Sequence, residues 1–90
     1  MKSLPKAIYK INKGFIVQKI DGKITIFDGE NSQLISFNET ATYVFERIKR
    51  GLDEAKIIEF MSKKYKVKPE KVKKDLRQLL GELKRLRIIS

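Results

Sequence analysis

Phe37-Asn38-Glu39-Thr40-Ala41-Thr42-Tyr43-Val44-Phe45 joins the end of a β-strand pattern to the beginning of a capped helix, and this junction decides the fold. Asn38 is a helix N-cap residue whose side chain can accept hydrogen bonds from free backbone N–H groups, and Glu39 suits the positive end of the helix dipole. The residues that follow have the spacing of a buried helical face: Ala41, Val44, Phe45 and Ile48. The sequence therefore predicts a first helix over residues 39–50 that closes at Gly51.

Three short apolar segments precede this junction, at residues 15–20, 23–27 and 33–37. All three are rich in the β-branched and aromatic residues that favour strands. Asp21-Gly22 separates the first two segments and is typical of a type I′ hairpin turn, in which both central residues have positive φ. Residues 28–31 indicate a longer second turn. These patterns predict three antiparallel strands.

Two further helices are predicted in the second half of the chain. Asp53 is a second N-cap candidate, and the apolar stripe of its helix consists of Ile57, Phe60, Met61 and Tyr65. Pro69 suits the first turn of a third helix. That helix has an apolar stripe formed by Val72, Leu76, Leu79, Leu80, Leu83 and Leu86. The order predicts an α+β, winged-helix-like fold in which a three-stranded antiparallel sheet is followed by a three-helix bundle.

A chain of 90 residues with 41% hydrophobic content is expected to form one small domain over residues 1–90. Residues 1–12 contain Pro5 and scattered lysines, so we expect a loosely ordered leader in which Ile8 and Ile11 are the only evident anchors. The longest apolar runs are far shorter than the roughly 20 residues of a membrane span. The beginning of the chain lacks the apolar core of a signal peptide. We therefore expect a cytoplasmic protein without a membrane partner.

Composition argues against catalysis. The chain has no Cys and no His, which removes thiol nucleophiles, imidazole bases and the usual zinc ligands. The five glycines are isolated from one another and none forms a phosphate-binding loop. The carboxylates of the helical half lie among Lys and Arg at helical spacings, which is typical of an ion-paired surface. We expect neither enzymatic activity nor a bound cofactor.

Lys and Arg number 21 against 11 acidic residues, a formal charge of +10 that is concentrated in the helical half. Such a charge attracts nucleic acid, an anionic membrane surface or an acidic peptide, and the richness in Lys, Glu and Ile also suits adaptation to high temperature. The basic side of the third helix, formed by Lys73, Lys74, Arg77 and Lys84, resembles a DNA recognition helix. Because only Gln78 could read adenine there, a solvated basic surface is favoured, and a winged-helix DNA-binding regulator is the alternative.

The predicted sheet suggests a different function, the binding of an extended peptide. A three-stranded antiparallel sheet leaves edge strands whose N–H and C=O groups can pair with an extended peptide. If the third strand is such an edge, residues 33–37 and the third helix form a groove for that peptide.

Phe37-Asn38-Glu39-Thr40-Ala41 resembles the hydrophobic-Asn-Glu-Thr-Ala segment of the PqqD family. This family comprises pyrroloquinoline quinone biosynthesis chaperones and the related recognition elements for ribosomally made, modified peptides. The resemblance covers most of the chain from about Phe15 onward, and it continues through Gly51, Ile57, Tyr65, Val72, Asp75, Leu76, Leu79, Leu80 and Leu83. Two positions depart from the family pattern: Arg87, where Gly is frequent, and Asp53, where Thr or Ser is common.

The resemblance implies a non-enzymatic adaptor that captures the leader of a precursor peptide by strand addition and presents it to a radical S-adenosylmethionine enzyme or another maturase. It implies that the third strand supplies backbone hydrogen bonds through Leu34, Ile35, Ser36 and Phe37. The near flank of the third helix would line the groove with Val72, Asp75, Leu76 and Leu79, while Lys73 and Arg77 would meet acidic leader residues at the rim. Phe37, Leu76 and Leu79 are also expected core residues, and residues 38–40 are explained as a cap and first turn.

Overall fold

The computed structural model describes residues 8–90 and shows three strands followed by three helices. Their bounds are β1 Phe15–Ile20, β2 Lys23–Asp28, β3 Gln33–Ser36, α1 Glu39–Lys49, α2 Glu54–Tyr65 and α3 Pro69–Arg85. The strands form one antiparallel sheet in the order β1-β2-β3, so β1 and β3 are its two edges. The predicted α+β class and the predicted order of elements are confirmed. Within residues 8–90, no helix combines the length and apolar character needed to cross a bilayer.

Both turns of the sheet follow their sequence signals. Asp21 and Gly22 have φ values of 53° and 79°, as a type I′ turn requires, and they connect the directly paired residues Ile20 and Lys23. In the second turn, the buried Asp28 carboxylate accepts hydrogen bonds from the backbone N–H groups of Glu30 and Asn31 and, at 2.7 Å, from the Asn31 side-chain amide. This loop is therefore organised by a single carboxylate.

The core lies between one face of the sheet and the three helices. Ile24 and Ile26 face it from β2, and the Phe37 ring meets the Phe45 ring of α1 edge to face at 5.5 Å. The Thr42 hydroxyl oxygen accepts a hydrogen bond from the buried Ile24 N–H at 3.0 Å, which fixes α1 over β2. The helices supply most of the remaining large buried side chains: Val44, Ile48, Ile57, Met61, Val72, Leu76, Leu80 and Leu83. Ile88 and Ile89, which follow α3, complete the core.

The helix boundaries agree with the capping analysis. Asn38 accepts a hydrogen bond from the Ala41 N–H at 2.8 Å, and Asp53 accepts one from the Lys56 N–H at 2.8 Å. In α2, however, the prediction that Phe60 belongs to the buried stripe is wrong, since 39% of its surface is exposed. The buried face is centred between Ile57 and Met61, and at 100° per residue Phe60 lies beyond its edge.

The expected loose leader over residues 1–12 is contradicted for its last residues. Lys10 and Ser90 exchange two backbone hydrogen bonds of 2.9 Å, and the Asn12 N–H donates to the Ile88 carbonyl at 2.9 Å. Ile11 pairs with Ile89 across this short bridge and is an anchor, whereas Ile8 is 67% exposed and is not. The bridge was invisible in the sequence because it joins residues nearly 80 positions apart. Residues 1–7 of the predicted leader lie outside the described residues.

Candidate functional site

The free edge of β3 presents backbone groups from alternate residues. The Phe37 N–H donates to the Ile24 carbonyl at 2.8 Å, which continues the β2–β3 register in which Ile26 opposes Ile35. Because hydrogen-bonded pairs alternate in an antiparallel ladder, the backbone of Ile35 also points toward β2. Leu34 and Ser36 therefore direct their N–H and C=O groups away from the sheet. Within residues 8–90, no other strand pairs with this edge.

A cleft of about 290 Å³ lies beside this edge, between the end of β3 and α3. Its strand side is formed by Ser36, Phe37, Asn38, Thr40 and Ala41, and its opposite side by Asp75, Leu76, Leu79, Glu82, Leu83 and Leu86, with Met61 of α2 beneath them. Most of the lining is apolar and its polar groups lie at the margins. We call this feature the β3–α3 cleft.

The α3 margin of the β3–α3 cleft is charge-balanced. Lys71 donates to the Asp75 carboxylate at 3.1 Å, and Arg85 donates to the Glu82 carboxylate at 2.6 Å. The hydrogen bond from Arg85 lowers the pKa of Glu82, so this carboxylate remains ionised at neutral pH. Each of the two carboxylates on this flank of the helix is thus paired with one cation.

The structure brings together five of the ten residues named from the sequence: Ser36, Phe37, Asp75, Leu76 and Leu79 all line the β3–α3 cleft. Leu34 contributes differently, since its backbone faces the free edge while its side chain lies on the outer face of the sheet, 67% exposed. Ile35 directs its backbone to β2 and its half-buried side chain to the core. Only two of the four proposed backbone donors, Leu34 and Ser36, therefore face the open edge, because strand residues alternate in direction.

Val72, Lys73 and Arg77 are not part of the β3–α3 cleft. Val72 is a core residue. Lys73 lines a separate depression between α2 and α3, and Arg77 contacts the buried Glu54 carboxylate at 3.4 Å. Each of these two cations is two residues from a cleft residue, so each points to the other side of the helix. The predicted rim contacts of Lys73 and Arg77 thus fall outside this site.

Several cleft residues were not recognised in the sequence. Glu82 and Leu86 follow Asp75 and Leu79 by seven residues each, so two helical turns place them on the same flank. Asn38 and Thr40 were interpreted only as parts of a helix start; Asn38 does cap α1, and both also line the cleft. The seven-residue spacing was the signal that would have identified the pair on α3.

The fold and the cleft define a small α+β domain with an open strand edge beside an apolar helix flank. Residues 23–89 match the model of the family described as Coenzyme PQQ synthesis protein D (PqqD), and the chain belongs to this family. The expected family resemblance is therefore confirmed. No curated protein sequence matches the chain significantly.

Two solved structures share the fold. One is described as TbiB1 in complex with the TbiA(beta) leader peptide; it has a TM-score of 0.84 and 17% identity, over 90% of this chain and 94% of the other. The second is lasso peptide synthetase B1 complexed with the leader peptide, with a TM-score of 0.86 and 21% identity, over 93% of this chain and 99% of the other. At these identities the likeness establishes the fold.

Proposed function

We propose that this protein is a peptide-binding adaptor that captures the leader of a ribosomally made precursor peptide as a strand added to β3. The observation that carries the proposal is the edge at Leu34 and Ser36, which pairs with no further strand within residues 8–90 and lies directly beside the β3–α3 cleft. Membership of the PqqD family supports it, as do two structural neighbours that were solved with leader peptides bound.

The geometry gives each side of the bound strand a different environment. The backbone of the leader pairs with the outward N–H and C=O groups of Leu34 and Ser36, each bond adding about 0.5–1.5 kcal/mol net. Because side chains alternate along a strand, every second leader residue enters the β3–α3 cleft over Phe37 and Leu79. The intervening residues lie on the outer sheet face beside Leu34, which is adjacent to Phe27 of β2.

The charge-balanced margin of the cleft determines how strongly the affinity for the leader should depend on salt. Lys73 and Arg77 do not line the cleft, and each of its two carboxylates on α3 is already paired with a cation, Asp75 with Lys71 and Glu82 with Arg85. A leader held mainly by backbone hydrogen bonds and apolar contacts should bind with little dependence on salt. A DNA ligand would release condensed counterions, so its affinity would fall steeply as salt rises.

The adaptor would then present the captured leader to a modifying enzyme. The family suggests a radical S-adenosylmethionine enzyme as this partner. Because the leader occupies only the β3 edge in this arrangement, the opposite end of the sheet and α1 stay accessible while the peptide is held.

An NMR titration of the ¹⁵N-labelled protein tests the proposal. The ligands are a leader peptide encoded beside this gene and a mixed-sequence DNA duplex, each at about 0.15 M salt. We expect the leader to shift resonances of residues 33–37 and of the cleft flank of α3. The Ser36→Pro variant should lose these shifts, and Val17→Pro, a matched change on the other sheet edge, should keep them. Shifts with DNA alone would refute the adaptor and favour a regulator.

A further inference from the structure

The second edge of the sheet, β1, is also unpaired within residues 8–90. In a two-residue hairpin the residues flanking the turn form a hydrogen-bonded pair, here Ile20 with Lys23. Counting back in steps of two, Gln18 and Ile16 also bond to β2. The backbone N–H and C=O groups of Phe15, Val17 and Lys19 therefore point away from the sheet.

A groove of about 480 Å³ runs beside this edge, between β1 and α1, and we call it the β1–α1 groove. It is lined by Val17, Lys19, Ile24, Phe45, Glu46, Lys49 and Arg50. Val17 is directly opposite the fully buried Ile26, yet 39% of its surface is exposed. Because α1 is fixed over β2, the core-facing side of β1 extends beyond the helix and leaves Val17 exposed beside the buried Ile24 and Phe45.

The β1–α1 groove is basic. Among residues 8–90, the one carboxylate that lines it is Glu46, which accepts a 2.7 Å hydrogen bond from Lys19 across the groove, and this bond lowers the pKa of Glu46. Lys49 and Arg50 are exposed at the α1 side. In the part of the chain that the structure describes, neither has a carboxylate within 4 Å. Two cations are thus available to a ligand beside the free strand edge.

We propose that the β1–α1 groove binds an extended acidic segment of a second protein, added as a strand to β1. The charge of the groove favours an acidic segment over a second copy of this chain. A second copy of this chain paired through β1 would place its own Lys19 near the cations of the first copy, and both chains are strongly basic, so like charges would repel. An acidic strand would instead place carboxylates near Lys49 and Arg50 and an apolar side chain over the exposed Val17. The two edges then select different ligands, because the β3–α3 cleft is charge-balanced.

Titration with synthetic peptides tests this proposal independently of leader capture. The probes are a ten-residue peptide of alternating Val and Glu and its counterpart of alternating Val and Lys. At low salt the Glu peptide should shift resonances of residues 13–19 and 45–50, and the Lys peptide should not. Val17→Pro, which removes an outward N–H without removing a β1–β2 bond, should weaken binding about tenfold. Ser36→Pro, at the other edge, should leave the affinity unchanged.

The charge contribution is tested with a matched pair of double variants. Lys49→Gln with Arg50→Gln should lower the affinity for the Glu peptide about three- to tenfold, because two partly exposed ion pairs are lost. Lys63→Gln with Lys74→Gln removes the same net charge from α2 and α3 and should have no effect. The charge variants alter exposed side chains, so they remain informative even if Val17→Pro does not fold.

Four results would overturn the proposal. Shifts confined to β3 and α3 with the Glu peptide would assign acidic segments to the other edge. Shifts in β1 on concentrating the protein alone would make a second copy the occupant. The other two results are no shift with the Glu peptide at millimolar concentration, and binding of that peptide by the Lys63 and Lys74 double variant that is as weak as binding by the groove variant.

Discussion

Proline substitutions along β3 should separate folding from binding residue by residue. The β2–β3 register places the Ile35 N–H on the Ile26 carbonyl, while the Ser36 N–H faces outward. Proline lacks the N–H group, so Ile35→Pro deletes a sheet hydrogen bond and Ser36→Pro deletes none. The two neighbouring positions should therefore respond in opposite ways.

The expected magnitudes follow from these contacts. Ile35→Pro leaves the carbonyl of the fully buried Ile26 without a partner, which costs about 1–3 kcal/mol, and the half-buried isoleucine side chain adds about 1 kcal/mol. The free energy of unfolding should fall by about 3 kcal/mol. Ser36→Pro removes an exposed side chain and no internal hydrogen bond, so its stability should change by no more than about 1 kcal/mol. Its affinity for a leader peptide should nevertheless fall at least about tenfold, or about 1.4 kcal/mol.

Urea unfolding followed by circular dichroism measures the first quantity, and calorimetric titration with the leader measures the second. Leu34→Pro, the other outward position, should behave like Ser36→Pro. If Ser36→Pro destabilised the fold as much as Ile35→Pro, the assigned ladder would be incorrect. If Ser36→Pro and Leu34→Pro both folded and bound the leader with wild-type affinity, strand addition to β3 would be refuted.

Three further predictions concern side chains that hold the start of α1, the contact of α1 with β2, and the second turn of the sheet. Asn38→Ala should lower the free energy of unfolding by about 0.5–2 kcal/mol in urea titrations, because the Ala41 N–H loses its cap, whereas Asn38→Asp should retain most of it. Thr42→Val should cost about 1–3 kcal/mol in the same measurement, since the buried Ile24 N–H loses its acceptor; a neutral result would show that another acceptor replaces it. The hydrogen bond from Asn31 lowers the pKa of Asp28, so this carboxylate should stabilise the fold above its unfolded-state pKa and lose that contribution as the pH falls through the depressed folded-state value. Asp28→Asn should flatten that part of the acid-unfolding curve, and an unchanged curve would exclude the contribution.

Local signals predicted most of the fold. These signals are the Asp21-Gly22 turn, the Asn38 and Asp53 caps and the Pro69 helix start. Each depends only on residues that are close together in the chain, so each can be recognised from the sequence alone. The bridge between Ile11 and Ile89 was not predicted, because its two residues are far apart in the sequence and no turn signal connects them. Phe60 was misassigned for a related reason, since its apolar character suggests burial but only packing fixes the phase of the buried face.

The same distinction explains how the structure distributes the predicted site residues. The sequence predicted a groove between β3 and α3 on the condition that β3 is an edge strand, and the strand order β1-β2-β3 meets that condition. It did not determine which residues of β3 point outward, since that parity depends on the pairing of Phe37 with Ile24. Nor did it determine the rotation of α3 about its axis. Lys73 and Arg77 are each two residues from Asp75, which lines the cleft, so both lie on the side of the helix that faces away from it.

The rotation of α3 has a functional consequence. It places Asp75 and Glu82, with their intrahelical cations, at the β3–α3 cleft and leaves much of the basic charge elsewhere. A leader bound at β3 would therefore be selected mainly by its apolar pattern and by hydrogen bonding. Lys49 and Arg50, which have no carboxylate within 4 Å among residues 8–90, lie instead at the β1–α1 groove, where the same sheet offers a second strand edge. If both proposals hold, one three-stranded sheet distinguishes two extended ligands, because its two edges share backbone chemistry but differ in charge.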